Sequence, residues 1–487
     1  MKGFGEQHKS KKKTSKKEQI INQAINFHVQ GNISEAEKYY QYCINQEFND
    51  NRVFCNYGVI LQGIGKLQEA ELSTRKAIEL KPYCTQSHFN LGNILKDLGK
   101  LQEAELSFRK AIEINPDFAE AHSNLGNILK DLGKLQEAEL SFRKAIEINP
   151  DFAMAYYSLS LLKYSDENKI LLHQILSKNI LNKKSKKDQI YFYFAKANIL
   201  HKEKKYEDSS IFLELANQLK LSINPSTAES LINQSKVLLL ESNEQKIDQK
   251  ENIDSPKSIF IVGMPRSGST LLESILSMSN DVYDLGETNI LEESFIECKQ
   301  SKKDKYLAEL YKEKLNNMTE LNISTNKWLY NYQYAGIIAK QIPNAKIIHC
   351  FRHPLDNILS IFRTHFSEGN QYSTSLVDCA KVYLDQEEIM TEYKNMFRSK
   401  IYDLNYDKLV GNPKQEIKSL ISWLGWKWDD KYLTPHLNPR SISTASNIQV
   451  RSPINSNSIG GWKNYKEMLK PAIEILAQNY KYQDINS

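Results

Sequence analysis

Residues Leu91–Ala119 recur without a change at Leu125–Ala153, an offset of 34 residues, and this duplication constrains the fold more than any other feature of the chain. The same offset relates Gly58 to Gly92 and Gly126, Ala70 to Ala104 and Ala138, and Pro82 to Pro116 and Pro150. Divergent copies flank the series. Ala24 and Ala36 hold the glycine and alanine positions upstream, and Ala197 and Ser209 hold them downstream. Within one period Leu91, Ile94, Leu95 and Leu98 line one face of a helix, and Leu106, Phe108, Ala111 and Ile112 line one face of a second. Gly92 and Ala104 let the two helices approach closely, and Pro116 stops the second. A helical hairpin of this size cannot bury its apolar face alone, but stacked copies can.

The period and the pattern resemble tetratricopeptide repeats, which implies an α-solenoid with a concave face and a protein partner or acceptor held there. Asn56, Asn90 and Asn124 recur at the same offset and are read as a polar ladder for an extended peptide. The period fades between Ser165 and Ile190, and Lys178–Lys187 is read as a lysine-rich helix end and loop. Repeat-like sequence resumes near Phe194–Lys220. The expected organisation is a basic tail over 1–17, a repeat array over 18–220, a linker over 221–257 that contains one short helix, and a second domain over 258–487.

The tail carries seven lysines and one glutamate, so it accounts for +6 of a formal net charge of +5 and leaves the remainder near −1. The body is therefore not a nucleic-acid binder, and a solvated, disordered tail is expected. The six cysteines are scattered, with no C-x-x-C pair, as expected of free thiols in the cytoplasm. No run approaches the ~18 apolar residues of a membrane span, and no His/Cys cluster has the spacing of a metal site.

After Lys257 short apolar runs alternate with helical stretches. Ser258–Val262, Lys346–Cys350 and Lys400–Leu404 read as strands of a parallel α/β sheet, and if the short run Val282–Leu285 is the second strand, Glu287 sits at its carboxyl end. The first strand opens into Gly263-Met-Pro-Arg-Ser-Gly-Ser-Thr270 and then a helix. Backbone N–H groups of such a loop and the positive end of the helix behind it suit a phosphate-like anion. The spacing approaches a nucleoside-triphosphate P-loop, but Ser269 stands where that motif has lysine, and Arg266 supplies the cation.

Pro265-Arg-Ser-Gly-Ser-Thr270 resembles the 5′-phosphosulfate loop of sulfotransferases, above all the tyrosyl-protein branch and bacterial enzymes with tetratricopeptide repeats. Arg352, at a strand end, with Ser360 eight residues on, resembles the element that holds the 3′-phosphate of 3′-phosphoadenosine 5′-phosphosulfate (PAPS) in that family. Leu285-Gly286-Glu287 resembles the element bearing the catalytic base, and Asn326-Lys327 an Asp-Lys element whose lysine contacts the transferring group. Tyr406-Asp407 resembles the family's tyrosine-acidic element near the nucleotide, and Thr444–Pro453 and Ser458–Trp462 resemble its C-terminal nucleotide-covering loop. The likeness extends over about 259–476. Two positions depart from the pattern: Gly461 replaces a basic residue before the tryptophan, and Asn326 replaces aspartate.

The resemblance implies a tetratricopeptide-repeat α-solenoid followed by a P-loop-like parallel α/β sulfotransferase domain, with PAPS as co-substrate and no metal. Arg266, Ser267, Gly268, Ser269 and Thr270 would take the 5′-phosphosulfate. Arg352 and Ser360 would take the 3′-phosphate, with Tyr406 and Ser446 near the nucleotide. Glu287 would be general base, with Arg266 and Lys327 stabilising developing charge. The acceptor would be a hydroxyl on a protein or glycan, tyrosine first. Two other classes stay open: an inactive repeat scaffold, and a nucleotide kinase, which Ser269 disfavours. His349, His353, Trp423, Trp426 and Trp428 are read as structural.

Overall fold

The computed structural model describes residues 16–162, 165–177, 184–244, 257–300, 306–366, 369–442 and 444–485. The basic tail, part of the lysine-rich loop and the end of the expected linker therefore lie outside the described residues. The chain divides into two compact units, residues 1–155 and 156–487.

The first unit is built from helical hairpins in chain order: α1 (Lys16–Val29), α2 (Ile33–Asn45), α3 (Asn51–Gly63), α4 (Leu67–Leu80), α5 (Thr85–Asp97), α6 (Leu101–Ile114), α7 (Ala119–Asp131) and α8 (Leu135–Ile148). Hairpins α5–α6 and α7–α8 are each locked by a glycine set against a phenylalanine ring. A Cβ on Gly92 would lie 2.7 Å from the Phe108 ring, and one on Gly126 would lie 2.6 Å from Phe142. Ala70, Ala104 and Ala138 are fully buried in the same contacts. Gly65, Gly99 and Gly133 end the first helix of each pair in the left-handed region, at φ 79°, 74° and 80°. Ion pairs step from hairpin to hairpin: Arg75 bridges Glu71 and Glu103, and Arg109 bridges Glu105 and Glu137.

The second unit begins within α9 (Ala153–Leu161) and continues through α10 (Asp166–Ser177), α11 (Lys186–Lys202), α12 (Tyr206–Ile223) and α13 (Ala228–Glu244). Helices α11 and α12 form a repeat-like hairpin, closed where the Ser209 hydroxyl donates to Ala197 O at 2.9 Å. The sequence reading divides this stretch between repeat array and linker, yet α11 to α13 share cores with the sheet domain. The reason lies in their polar anchors: Asn217 Nδ2 donates to Phe362 O at 2.9 Å, and Gln333 Nε2 donates to Leu231 O at 3.0 Å.

Five parallel strands follow: β1 (Lys257–Gly263), β2 (Val282–Asp284), β3 (Ile323–Asn326), β4 (Lys346–Phe351) and β5 (Ile401–Asn405), in spatial order β2-β3-β1-β4-β5. Their helices are α14 (Ser269–Leu276), α15 (Ile290–Gln300), α16 (Leu307–Asn316), α17 (Ala335–Gln341), α18 (Pro354–Phe362), α19 (Leu376–Phe397), α20 (Tyr406–Gly411), α21 (Pro413–Leu424) and α22 (Lys470–Leu476). Ile259 and Ile261 of β1 pack on one face with α14 and α21, while Phe260 and Val262 pack on the other. Because β1 is covered on both faces, it reads as a continuous apolar run. The chain leaves β1 toward one sheet edge and β4 toward the other, which opens a crevice at their carboxyl ends. Strand β3 is absent from the sequence reading because its buried residues are polar: Ser324, Thr325 and Asn326 are each at most 2% exposed.

Gly92→Ala should destabilise the repeat array by about 1–3 kcal/mol, the usual cost of overpacking a tight contact. Urea denaturation followed by circular dichroism measures this, and stability equal to wild type would mean that the Phe108 lock does not govern hairpin packing.

Candidate functional site

The strand ends set the geometry. Gly263, the last residue of β1, pairs with Cys350 of β4, so the loop after β1 and the turn after β4 rise side by side. The approach is so close that a Cβ on Gly263 would lie 2.2 Å from Cys350 O. Residues Met264–Gly268 form the loop, and Gly268 caps α14 in the left-handed region at φ 96°. Arg266 is the loop's strained residue, a non-glycine at φ 67°. Such strain costs on the order of 1–3 kcal/mol and here turns the guanidinium toward α18 and the C-terminal segment. Its Nε donates to Ser360 Oγ at 3.1 Å, its Nη1 donates to Ser446 Oγ, and its Nη2 donates to Gln449 Oε1 at 2.7 Å.

Arg352 follows β4 and is 6% exposed. Its guanidinium carbon lies 4.7 Å from the centre of the Tyr406 ring, and its Nη2 donates to Ser458 O at 2.7 Å. Tyr406 in turn packs on the loop, since a Cβ on Gly268 would lie 2.3 Å from its ring. Burial, reinforced by the neighbouring Arg352 charge, pushes the Arg266 pKa down to about 10, which leaves the group cationic at neutral pH. Among the described residues no carboxylate pairs with Arg266 or Arg352, and the buried atoms Arg352 Nε and Ser267 Oγ have no hydrogen-bond partner. Two cations without countercharge beside orphaned donors form a site for an anion with several oxygens.

The second cluster lies at the carboxyl ends of β2 and β3. Lys327 is fully buried and donates to Glu287 Oε1 at 2.7 Å, while Glu287 is 46% exposed. The two strands are stitched where Lys327 N donates to Gly286 O at 2.8 Å. Asn326 is occupied locally: its Oδ1 accepts from Trp328 N at 3.0 Å and from Asn331 Nδ2 at 2.9 Å.

The structure thus brings Arg266, Ser360, Ser446, Arg352 and Tyr406 together, and pairs Glu287 with Lys327. Thr270 Oγ1 lies 3.3 Å from Thr444 Oγ1, and Ser269 opens α14 beside it. Two members of the polar ladder bond within the array. Asn90 is buried and donates to Cys55 Sγ at 3.3 Å, and Asn124 donates to Asn93 Oδ1 at 2.9 Å.

Several residues were missed by the sequence reading. Asp356, four residues after Arg352, makes no ion pair with it; its two oxygens accept from Gly460 N at 2.7 Å and Trp462 N at 3.0 Å. Asp407 accepts from His353 N at 2.7 Å, and the His353 ring stacks on Trp462. Asn357 donates to Pro265 O at 2.9 Å and so braces the loop. Gly461 is open, with only Asp356 Oδ1 within 4 Å of a Cβ added there. Among the described residues no group of His, Cys, Asp and Glu could hold a metal ion, and no helix is long and apolar enough to cross a membrane.

Comparison with known proteins finds matches in both parts of the chain. Residues 256–430 match the model of the sulfotransferase family, and residues 52–84, 92–133 and 119–152 match tetratricopeptide-repeat models. The chain carries tetratricopeptide repeats followed by a sulfotransferase-family domain. It is 30% identical over 251 residues to an uncharacterised protein of Aquifex aeolicus, covering 47% of this chain and 33% of that one. It is 27% identical over 246 residues to protein-tyrosine sulfotransferase A of Caenorhabditis elegans, covering 44% of this chain and 63% of the relative. The chain thus spans about a third of the Aquifex protein and under two thirds of the nematode one. The sulfotransferase domain of the Synechococcus PCC 7002 olefin synthase is 19% identical with a TM-score of 0.36, covering 47% of this chain and 96% of that domain.

Asp356→Ala should release the 444–462 segment from the site. Losing two hydrogen bonds to a charged acceptor should cost on the order of 1.5–3 kcal/mol or more. Limited proteolysis should then cut within 444–462 faster than in the wild type, and an unchanged cleavage rate would show that Asp356 does not hold this segment.

Proposed function

We propose that the protein is a PAPS-dependent sulfotransferase that moves a sulfuryl group to an acceptor hydroxyl. The observation that carries this reading is the pair of buried guanidiniums, Arg266 and Arg352, without a carboxylate partner among the described residues, at the carboxyl ends of adjacent strands. The donors fit a ligand with phosphate at one end and phosphosulfate at the other. Arg352 and Ser360 would hold the 3′-phosphate, while Ser267, Gly268, Ser269 and Thr270 would receive the 5′-phosphosulfate around the α14 terminus. Tyr406 and Ser446 would wall the nucleotide. PAPS, when bound, supplies the activated sulfuryl group.

The protein's own work is positioning, charge stabilisation and proton removal. Glu287 takes the proton of the acceptor hydroxyl, and its partial exposure leaves it open to an incoming acceptor. Lys327 and Arg266 offset charge developing on the sulfuryl and bridging oxygens. Tyrosine on a protein is the favoured acceptor, supported by the nematode relative's name, with a glycan hydroxyl as the alternative. The repeats would present the acceptor or a protein partner. The Asn90 and Asn124 bonds inside the array make side chains other than this ladder the better candidates for that contact. Six cysteines outside any disulfide suit a reducing compartment, which supports a cytoplasmic location.

A nucleotide kinase is the weaker reading, because Ser269 occupies the place of the phosphate-contacting lysine. An inactive scaffold is weaker too, because the Glu287–Lys327 pair is intact.

Glu287→Gln keeps shape and removes basicity. Transfer of labelled sulfate from PAPS to a tyrosine peptide or a glycan should fall by ~10²–10⁴, with binding of adenosine 3′,5′-bisphosphate nearly unchanged. Wild-type turnover in this variant would assign the base elsewhere, and loss of nucleotide binding would make Glu287 structural.

A further inference from the structure

Below Glu287 and Lys327 lies a chain of alternating charges. Lys327 Nζ, fully buried, lies 2.7 Å from Glu287 Oε1 and 3.8 Å from Glu273 Oε2. Glu273 is on α14 and its side chain is 2% exposed. Arg440 Nη2 lies 3.2 Å from Glu273 Oε2, and Arg440 Nη1 pairs with Asp284. Thr325 Oγ1, on β3, donates to Glu273 Oε1 at 3.5 Å. Arg440 is itself fixed, since its N donates to Asn438 Oδ1 at 3.1 Å and its carbonyl accepts from Arg451. The other titratable groups facing this chain are Tyr330 near Glu287 and Cys350 near Lys327, both pushed up by burial and therefore neutral. Burial also raises Asp284, against the lowering effect of Arg440.

A buried ammonium needs a countercharge. At rest Glu287 supplies it. In the reaction the acceptor O–H bond breaks and its proton passes to the Glu287 carboxylate. The acceptor oxygen bonds to sulfur while the bond from sulfur to the bridging phosphate oxygen breaks, and nothing is oxidised or reduced. Glu287 is then neutral, and Lys327 has lost its near partner at the moment its charge is required. Glu273 stands one helical turn after Ser269 and touches the strand that carries Lys327, so it ties the phosphate loop's helix to the lysine.

We propose that Glu273 is a positioning residue: the buried second carboxylate that keeps the Lys327 ammonium beside the transferring group once Glu287 has taken the proton. The proposal rests on the sulfotransferase reading above.

The test compares Glu273→Gln, Lys327→Met and the double variant in the full chain, by labelled sulfate transfer from PAPS. Glu273→Gln should lower kcat by about 10²-fold, the scale of a misplaced group, with KM for PAPS and affinity for adenosine 3′,5′-bisphosphate unchanged. The double variant should be no slower than Lys327→Met alone, because Glu273 acts through the lysine. Glu273→Asp keeps the negative charge in the buried chain but shortens its reach toward Lys327 by one methylene. It should show the same kcat loss and the same coupling, and it carries the test if the glutamine variant does not fold. Multiplicative losses in the double variant, or wild-type kcat in the aspartate variant, would overturn the proposal alone. A wild-type chain that transfers nothing from PAPS would overturn the functional reading and this proposal with it.

Discussion

Two guanidiniums share one buried crevice with no carboxylate between them among the described residues, and much of the second unit is arranged to make that possible. Like charges in a low-dielectric site repel and are poorly solvated. Arg266 is tethered through three neutral acceptors on α18 and the C-terminal segment. Arg352 lies against the Tyr406 ring and a backbone carbonyl. Neutral acceptors fix direction without cancelling charge, so the field stays available to a ligand. The sheet order supplies the place, because the β1 and β4 connections diverge there. Asp356 and Asp407 hold the surrounding backbone: both Asp356 oxygens and Asp407 Oδ2 accept from backbone N–H groups, while Asp407 Oδ1 has no partner among the described residues.

The helices before the sheet belong to this arrangement. Asn217 of α12 donates to Phe362 O at the end of α18, the helix that carries Ser360. The Tyr465 hydroxyl donates to Ser209 of the same hairpin, and Tyr465 follows the Gly460–Trp462 stretch held by Asp356. The α11–α12 hairpin therefore braces both the helix and the C-terminal segment that line the crevice. Repeat-type packing here serves as structural support for the crevice.

Much of this was legible in the sequence for physical reasons. The 34-residue period is a packing period, so the small residues Gly92 and Gly126 could be read as one close approach repeated, while the rings set against them, Phe108 and Phe142, came from the fold. Strands β1 and β4 are apolar runs that end in loop chemistry, and their ends carry Arg266 and Arg352. Strand β3 was hidden because its buried residues, Ser324, Thr325 and Asn326, are polar, so the strand is no apolar run. Glu273 was hidden for a related reason: it reads as the polar position of an amphipathic helix, and only the fold sets Lys327 and Arg440 on either side of it. Asp356 sits four residues from Arg352, which invites an ion pair in sequence, but its partners come from about a hundred residues further on.

The central claim is that the Arg266–Arg352 crevice is built for a nucleotide with a separate 3′-phosphate, and calorimetry at fixed salt tests it most directly. Adenosine 3′,5′-bisphosphate should bind the wild-type chain more tightly than ATP, and Arg352→Ala should lose on the order of 1.5–3 kcal/mol of that affinity while remaining folded. A preference for ATP, or an unchanged affinity in folded Arg352→Ala, would contradict the account.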